Sequence, residues 1–137
     1  MISAGNITVT RSGRRLLDNV GIALHPGRFT VVIGPNGAGK STLMKVLSGE
    51  MAPDEGSVSY FGTAAHLHPP AELARRRAVL PQAVQLSFPF TALEIVRMGA
   101  VAQGSLQPTE QARKALTRVG LRGFEARAYP SLSGGEQ

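Results

Sequence analysis

The sequence predicts an α/β fold in three parts: a phosphate-binding core, an antiparallel β subdomain around it, and an inserted α-helical subdomain. Three observations predict it. The apolar run Phe29-Thr30-Val31-Val32-Ile33 leads into Gly34-Pro35-Asn36-Gly37-Ala38-Gly39-Lys40-Ser41-Thr42, which fits the phosphate-loop pattern G-x-x-x-x-G-K-[ST]. Short alternating segments stand on both sides of that unit. From about residue 84 the pattern turns helical, with capping signals.

Taken in order, Asn6-Ile7-Thr8-Val9-Thr10 and Val20-Gly21-Ile22-Ala23-Leu24 alternate as strands, with Arg11-Ser12-Gly13-Arg14 as a turn between them. His25-Pro26-Gly27 is a second turn, delivering the chain into a buried strand at 29–33. After the loop, Ser41 to Leu47 reads as a helix that Gly49 stops. Ala52-Pro53-Asp54-Glu55-Gly56 breaks the chain, and 57–62 follows as a strand. Pro70 to Arg76 is a short helix with Pro in its first turn. Ala78-Val79-Leu80 is expected as a buried strand ending at Pro81-Gln82. Thr91-Ala92-Leu93-Glu94 has capping-box spacing and opens a helix to about Met98. Pro108-Thr109-Glu110 opens a longer one through Val119, with Gly120 as its stop. The expected organisation is residues 1–83 as core with β subdomain, and 84–137 as helical subdomain.

Composition narrows the class. With 42% apolar residues in 137, there is material for a real core. Cysteine is absent, which removes disulfides and thiolate metal sites and suits a reducing compartment. No apolar run approaches the roughly 20 residues that span a bilayer, and the first residues lack the regions of a signal peptide. A cytoplasmic protein is expected, with any membrane role exercised through a partner. The net charge is +6, with 12 Arg against 3 Lys. Arg75-Arg76-Arg77 is the one basic triple, and no aromatic residue interleaves with it as a base-stacking surface requires. No nucleic-acid partner is expected.

The residue types of the loop follow from its chemistry. Backbone N–H groups must turn inward around a polyphosphate, and glycines permit the dihedrals and the close approach. The helix N-terminus adds donors and partial positive charge. Lys40 would reach the β- and γ-phosphates, and the Ser41 hydroxyl would ligate Mg²⁺. A second small-residue turn, Leu132-Ser133-Gly134-Gly135-Glu136-Gln137, lies 93 residues after Lys40. Two phosphate-type turns in one chain suggest a composite site between two copies. Glu136 lies inside this turn, and its carboxylate is expected to cap the start of a helix that follows.

This combination resembles the ATP-binding cassette (ABC) ATPases, whose P-loop NTPase fold would cover the whole chain. The resemblance rests on the phosphate loop, the Gln82 position and the signature at 132–137. It implies ATP and Mg²⁺ as cofactors and a head-to-tail homodimer. Gly34, Pro35, Asn36, Gly37, Ala38, Gly39, Lys40, Ser41 and Thr42 would hold the phosphates, and Ser41 and Gln82 the Mg²⁺. Gln82 would also touch the attacking water, beside the membrane partner. Ser133, Gly134, Gly135 and Gln137 would engage ATP bound to the other subunit.

The run Leu80-Pro81-Gln82 and the stretch from Leu86 to Gly99 look like the importers of iron chelates, haem and vitamin B12. Leu16-Leu17-Asp18-Asn19-Val20 and the His-Pro-Gly turn are most similar to the haem-importing members, with ferric siderophore or cobalamin as the alternative cargo. The resemblance then implies a peripheral subunit on the cytoplasmic face of the inner membrane. Two permease subunits and, indirectly, a periplasmic haem-binding protein would be its partners. His66 and His68 read as a solvated loop, so direct haem ligation is not expected. A DNA-repair type of the same ATPase is disfavoured, because such chains carry coiled-coil or zinc insertions, and heptads and cysteines are missing here.

Two departures stand out. Where the family places an aromatic residue to stack on adenine, this chain has Arg11, whose planar guanidinium can also stack. The Asp-Glu segment and switch histidine that follow the signature in the family are not among these residues. The pattern is thus truncated after the signature motif, and Asp54-Glu55, held in a turn, is no substitute. These 137 residues alone are expected to hold ATP without hydrolysing it.

Overall fold

A hairpin opens the chain. β1 (Ile2–Arg11) and β2 (Arg14–Leu24) pair antiparallel, with Arg11 opposite Arg14 and Ile2 opposite Leu24. The computed structural model describes residues 1–81 and 88–137, in two compact units, Met1–Pro70 and Ala71–Gln137. The subdomain boundary expected at 83/84 and the position of Gln82 lie outside the described residues. Ser12 and Gly13, at φ 49° and 74°, make the two-residue turn whose twist matches the strands it joins. Both strands outrun the alternating segments, because ladder pairing rather than alternation sets strand length.

β3 (Glu55–Tyr60) pairs with the other edge of β1, and β4 (Thr63–Ala64) pairs with β3, giving the antiparallel order β2-β1-β3-β4. Phe61 and Gly62, read from sequence as strand, form the turn between β3 and β4 at φ 54° and 88°. At the bulge of β1, Asn6 (φ 55°) donates from Nδ2 to Oδ1 of Asn19 (φ 49°) at 2.8 Å. A Cβ on Gly56 would strike the carbonyl oxygens of Gly5 and Asn6, so the bulged pairing of β3 with β1 admits only glycine there.

The core of this unit lies between the sheet and α1 (Lys40–Leu47). Ile7, Val9, Leu17, Val58 and Tyr60 are buried from the sheet, and Leu43, Val46 and Leu47 from the helix. Tyr60 donates from its buried Oη to the Leu47 carbonyl at 2.7 Å, fixing the helix end. Gly49 (φ 73°) stops the helix as expected: its N–H goes to Val46 O and that of Glu50 to Lys45 O, a Schellman closure.

Two expected strands do not form. Residues 29–33 carry no strand pairing, and Phe29 (94%) and Ile33 (86%) are exposed. Residues 78–80 likewise carry no strand pairing among the described residues, and Leu80 is exposed. An apolar run becomes a buried strand only when partners flank it, and among the described residues none pairs with either run.

The second unit is helical: α2 (Pro70–Arg76, its first residue in the preceding unit), α3 (Ala92–Ala102) and α4 (Pro108–Arg118). Thr91 and Glu94 form the full capping box that the spacing predicts. α3 runs past Met98 to Ala102 and closes on Gly104 (φ 78°), and α4 closes on Gly120 (φ 80°) in the same Schellman geometry. Ala92, Leu116 and Leu132 centre its core, with Leu93, Val96, Leu121, Phe124 and Tyr129 packed around them.

Candidate nucleotide-binding site

The loop 34–42 is built by its neighbours in the first unit. Gly37 (φ 80°) and Gly39 (φ 88°) take left-handed backbone conformations. Gly39 is the N-cap of α1, and a Cβ there would lie 2.5 Å from Leu16 O and 2.9 Å from Leu17 Cδ2 of β2. The hairpin therefore presses against the loop from behind, and only glycine fits between them. α1 has no side-chain cap and no acidic residue in its first turn. The N–H groups that open a helix have no partner within it, so here they are left for an external acceptor.

Lys40 donates from Nζ to the carbonyls of Gly34 and Pro35, both at 2.7 Å, which holds the ammonium over the loop. Together, the uncapped N–H groups, the lysine and the lack of an acidic residue in the first turn of α1 fit a polyphosphate anion. Ser41, next on the helix, could offer its hydroxyl to a Mg²⁺ carried by the phosphates. Among the described residues no cluster of three His or carboxylate side chains could hold a metal by itself.

Arg11 is tied down. Its Nη1 lies 2.9 Å from Oδ1 of Asp54, whose other oxygen accepts from the Thr10 N–H at 2.6 Å. That backbone bond and then the Arg11 guanidinium hold the Asp54 carboxyl below its usual range. Asp54 is thereby occupied in holding Arg11 and the end of β1. Arg14 escaped the sequence reading. A Cβ on Gly37 would lie 3.9 Å from Arg14 Nη2, so the first residue of β2 reaches the loop. Only the folded hairpin brings it there.

His66 lies exposed in a 3₁₀ turn, Ala65–Leu67, whereas His68 is half-buried with its ring edge-on to Tyr60 at 5.9 Å. The expectation of a solvated loop is thus corrected for His68, which packs as part of the sheet's end.

In the second unit, Ser133, Gly134 and Gly135 are exposed. Glu136 caps a turn rather than the helix start expected of it, its Oε2 accepting from the Ser133 N–H at 2.7 Å. That bond above all holds the Glu136 carboxyl below its usual range. Gln137 donates from Nε2 to Leu132 O at 3.0 Å and Tyr129 O at 3.2 Å, folding its amide back onto the segment before the turn.

The family model for ABC transporters matches residues 17–137. The Hemin import ATP-binding protein of Agrobacterium fabrum is 69% identical over 137 residues, all of this chain and 53% of that protein. Its namesake from Rhizobium meliloti is 45% identical over 139 residues, with 100% and 53% covered. The chain spans about half the length of the curated relatives it matches. Among solved structures, a dimeric ATP-binding cassette in a post-hydrolysis state with ADP and phosphate matches with a TM-score of 0.83 and 26% identity. It covers 99% of this chain and 65% of its own. A nucleotide-free cassette from an ABC transporter gives 0.81 and 31%, covering 98% and 60%.

Proposed function

Because the chain belongs to the ABC transporter family, we propose that it forms part of the ATP-binding subunit of a haem importer, an ATPase whose turnover drives uptake. The observation that carries this reading is 69% identity across the whole chain to a protein named for hemin import. The loop geometry supports the nucleotide half of it. The cargo rests on the relatives' names, since cargo does not meet this subunit.

In this reading the loop N–H groups and Lys40 would hold the β- and γ-phosphates and Ser41 would hold Mg²⁺, a cation able to offset the negative charge of the phosphates. Gln82 would position the metal and the attacking water. Arg11, steadied by Asp54, would offer the face of its guanidinium to adenine. Ser133, Gly134 and Gly135 would meet the γ-phosphate bound to a second copy, while Gln137 fixes the shape of that turn. The work of these residues is positioning and charge, as phosphoryl transfer requires. The assembly would be two such subunits at the cytoplasmic face of the inner membrane, on two permease subunits served by a periplasmic haem-binding protein. No helix among the described residues is long and apolar enough to cross a membrane, which is compatible with a peripheral role.

The test is growth of the source organism on haem as sole iron source. Replacement of the gene by a Lys40→Ala version is expected to abolish it while growth on ferric salts persists. Undiminished growth on haem would overturn the proposal.

A further inference from the structure

The β1–β2 hairpin carries three arginines with different fates. Arg11 pairs with Asp54 and Arg15 with Asp18, each at 2.9 Å. Arg14 has no acidic partner among the described residues, and its guanidinium lies against the phosphate loop at Gly37. Its Cα is fixed as the first residue of β2, immediately after the tight Ser12-Gly13 turn and paired with Arg11. Leu16 and Leu17, two and three residues on, back the same loop at Gly39. The start of β2 thus serves the loop at two points, once by packing and once by charge.

We propose that Arg14 is a further nucleotide-binding residue, donating to the polyphosphate from outside the loop while Lys40 acts from within it. The inference rests on the nucleotide-binding reading above. Lys40 is a point charge already engaged with two loop carbonyls, whereas an arginine brings a planar fork able to serve two phosphate oxygens at once. A guanidinium left without a carboxylate beside an anion cradle is a binding group of matching sign. Its contact is with phosphate, so the identity of the base is immaterial to it.

The test measures ATP and GTP affinity by calorimetry on the full-length protein, for wild type, Arg14→Ala, Arg14→Lys and Lys40→Ala. Melting without nucleotide is measured alongside. Arg14→Ala is expected to weaken ATP and GTP equally, by about tenfold, with the melting point unchanged. Arg14→Lys should recover only part of the loss. Unaltered ATP affinity in Arg14→Ala, alongside the loss in Lys40→Ala, would overturn the proposal and leave the nucleotide reading standing. So would a loss confined to ATP, which would mean contact with the base, or a lowered melting point accounting for the change. If Lys40→Ala bound ATP like wild type, the nucleotide reading itself would fall.

Discussion

The phosphate loop and the signature turn are both short glycine-rich segments with backbone N–H groups presented to solvent, yet they are finished differently. At 34–42 the helix behind the loop has neither a side-chain cap nor an acid in its first turn. At 132–137 the N–H of Ser133 is already taken by the Glu136 carboxylate. The glycines differ too. Gly39 is wedged against Leu16 and Leu17, while a Cβ on Gly134 or Gly135 would meet nothing within 4 Å. One turn is a preformed cradle whose donors await an anion. The other is a self-capped, open surface with room for something to be pressed against it.

The first way to break that comparison is Lys40→Ala, expected to cut ATP turnover by the full-length protein by about a hundredfold or more. A steady-state phosphate-release assay reads it. Next comes Gly39→Ala, which should destabilise the fold by about 2 kcal/mol or more, from left-handed strain and collision with Leu16 O. Denaturant unfolding of the full-length protein gives the number. Thr91→Ala should cost about 1 kcal/mol by removing the capping box of α3, a cost that α1 does not carry because it has no such cap to lose.

Acid sharpens the contrast further. Glu136 and Glu94 have folded carboxyls held below the ordinary 4.5 by backbone bonds from Ser133 and Thr91. Their contribution is therefore fully present above about pH 4.5 and lost as pH falls through the lowered folded values. Glu136→Gln should flatten the acid limb of a stability–pH curve; an unchanged limb would show that the cap is not formed in solution. The smallest effect is expected from Gly135→Ala, under about 0.5 kcal/mol on unfolding. If it equalled Gly39→Ala, the distinction between wedged and open glycines would be wrong.

Local signals carried much of this arrangement. The Thr91/Glu94 box, Pro70 and Pro108 at helix starts, and Gly49 and Gly120 at helix ends act within a few residues, so each was legible from spacing. The helix expected to end near Met98 runs on to Ala102: Gly99 is a weak helix former, but Ala100 and Val101 continue the apolar pattern, and Gly104 carried the same stop signal as the other two. Non-local facts were hidden. Whether 29–33 and 78–80 become strands depends on what lies beside them, which alternation cannot report. The approach of Arg14 to Gly37 joins positions far apart in sequence and exists only once the hairpin has formed. For the candidate site, the loop and the signature were plain as motifs, whereas the cap from Glu136 and the tether on Arg11 take their meaning from bonds made only in the folded chain.

The exposed run at 29–33 also bears on how such a chain is made. Phe29, Val31 and Ile33 present an exposed, uncharged, β-prone surface that no strand among the described residues pairs with. On the ribosome this stretch emerges well before residues 78–80 or the helical unit have been synthesised. A nascent chain would display an adhesive ribbon for several seconds at ordinary translation speeds of about 5–20 residues per second. Capture by chaperones during synthesis, and aggregation when synthesis outruns it, are the expected consequences of a β-prone run placed directly ahead of the phosphate loop.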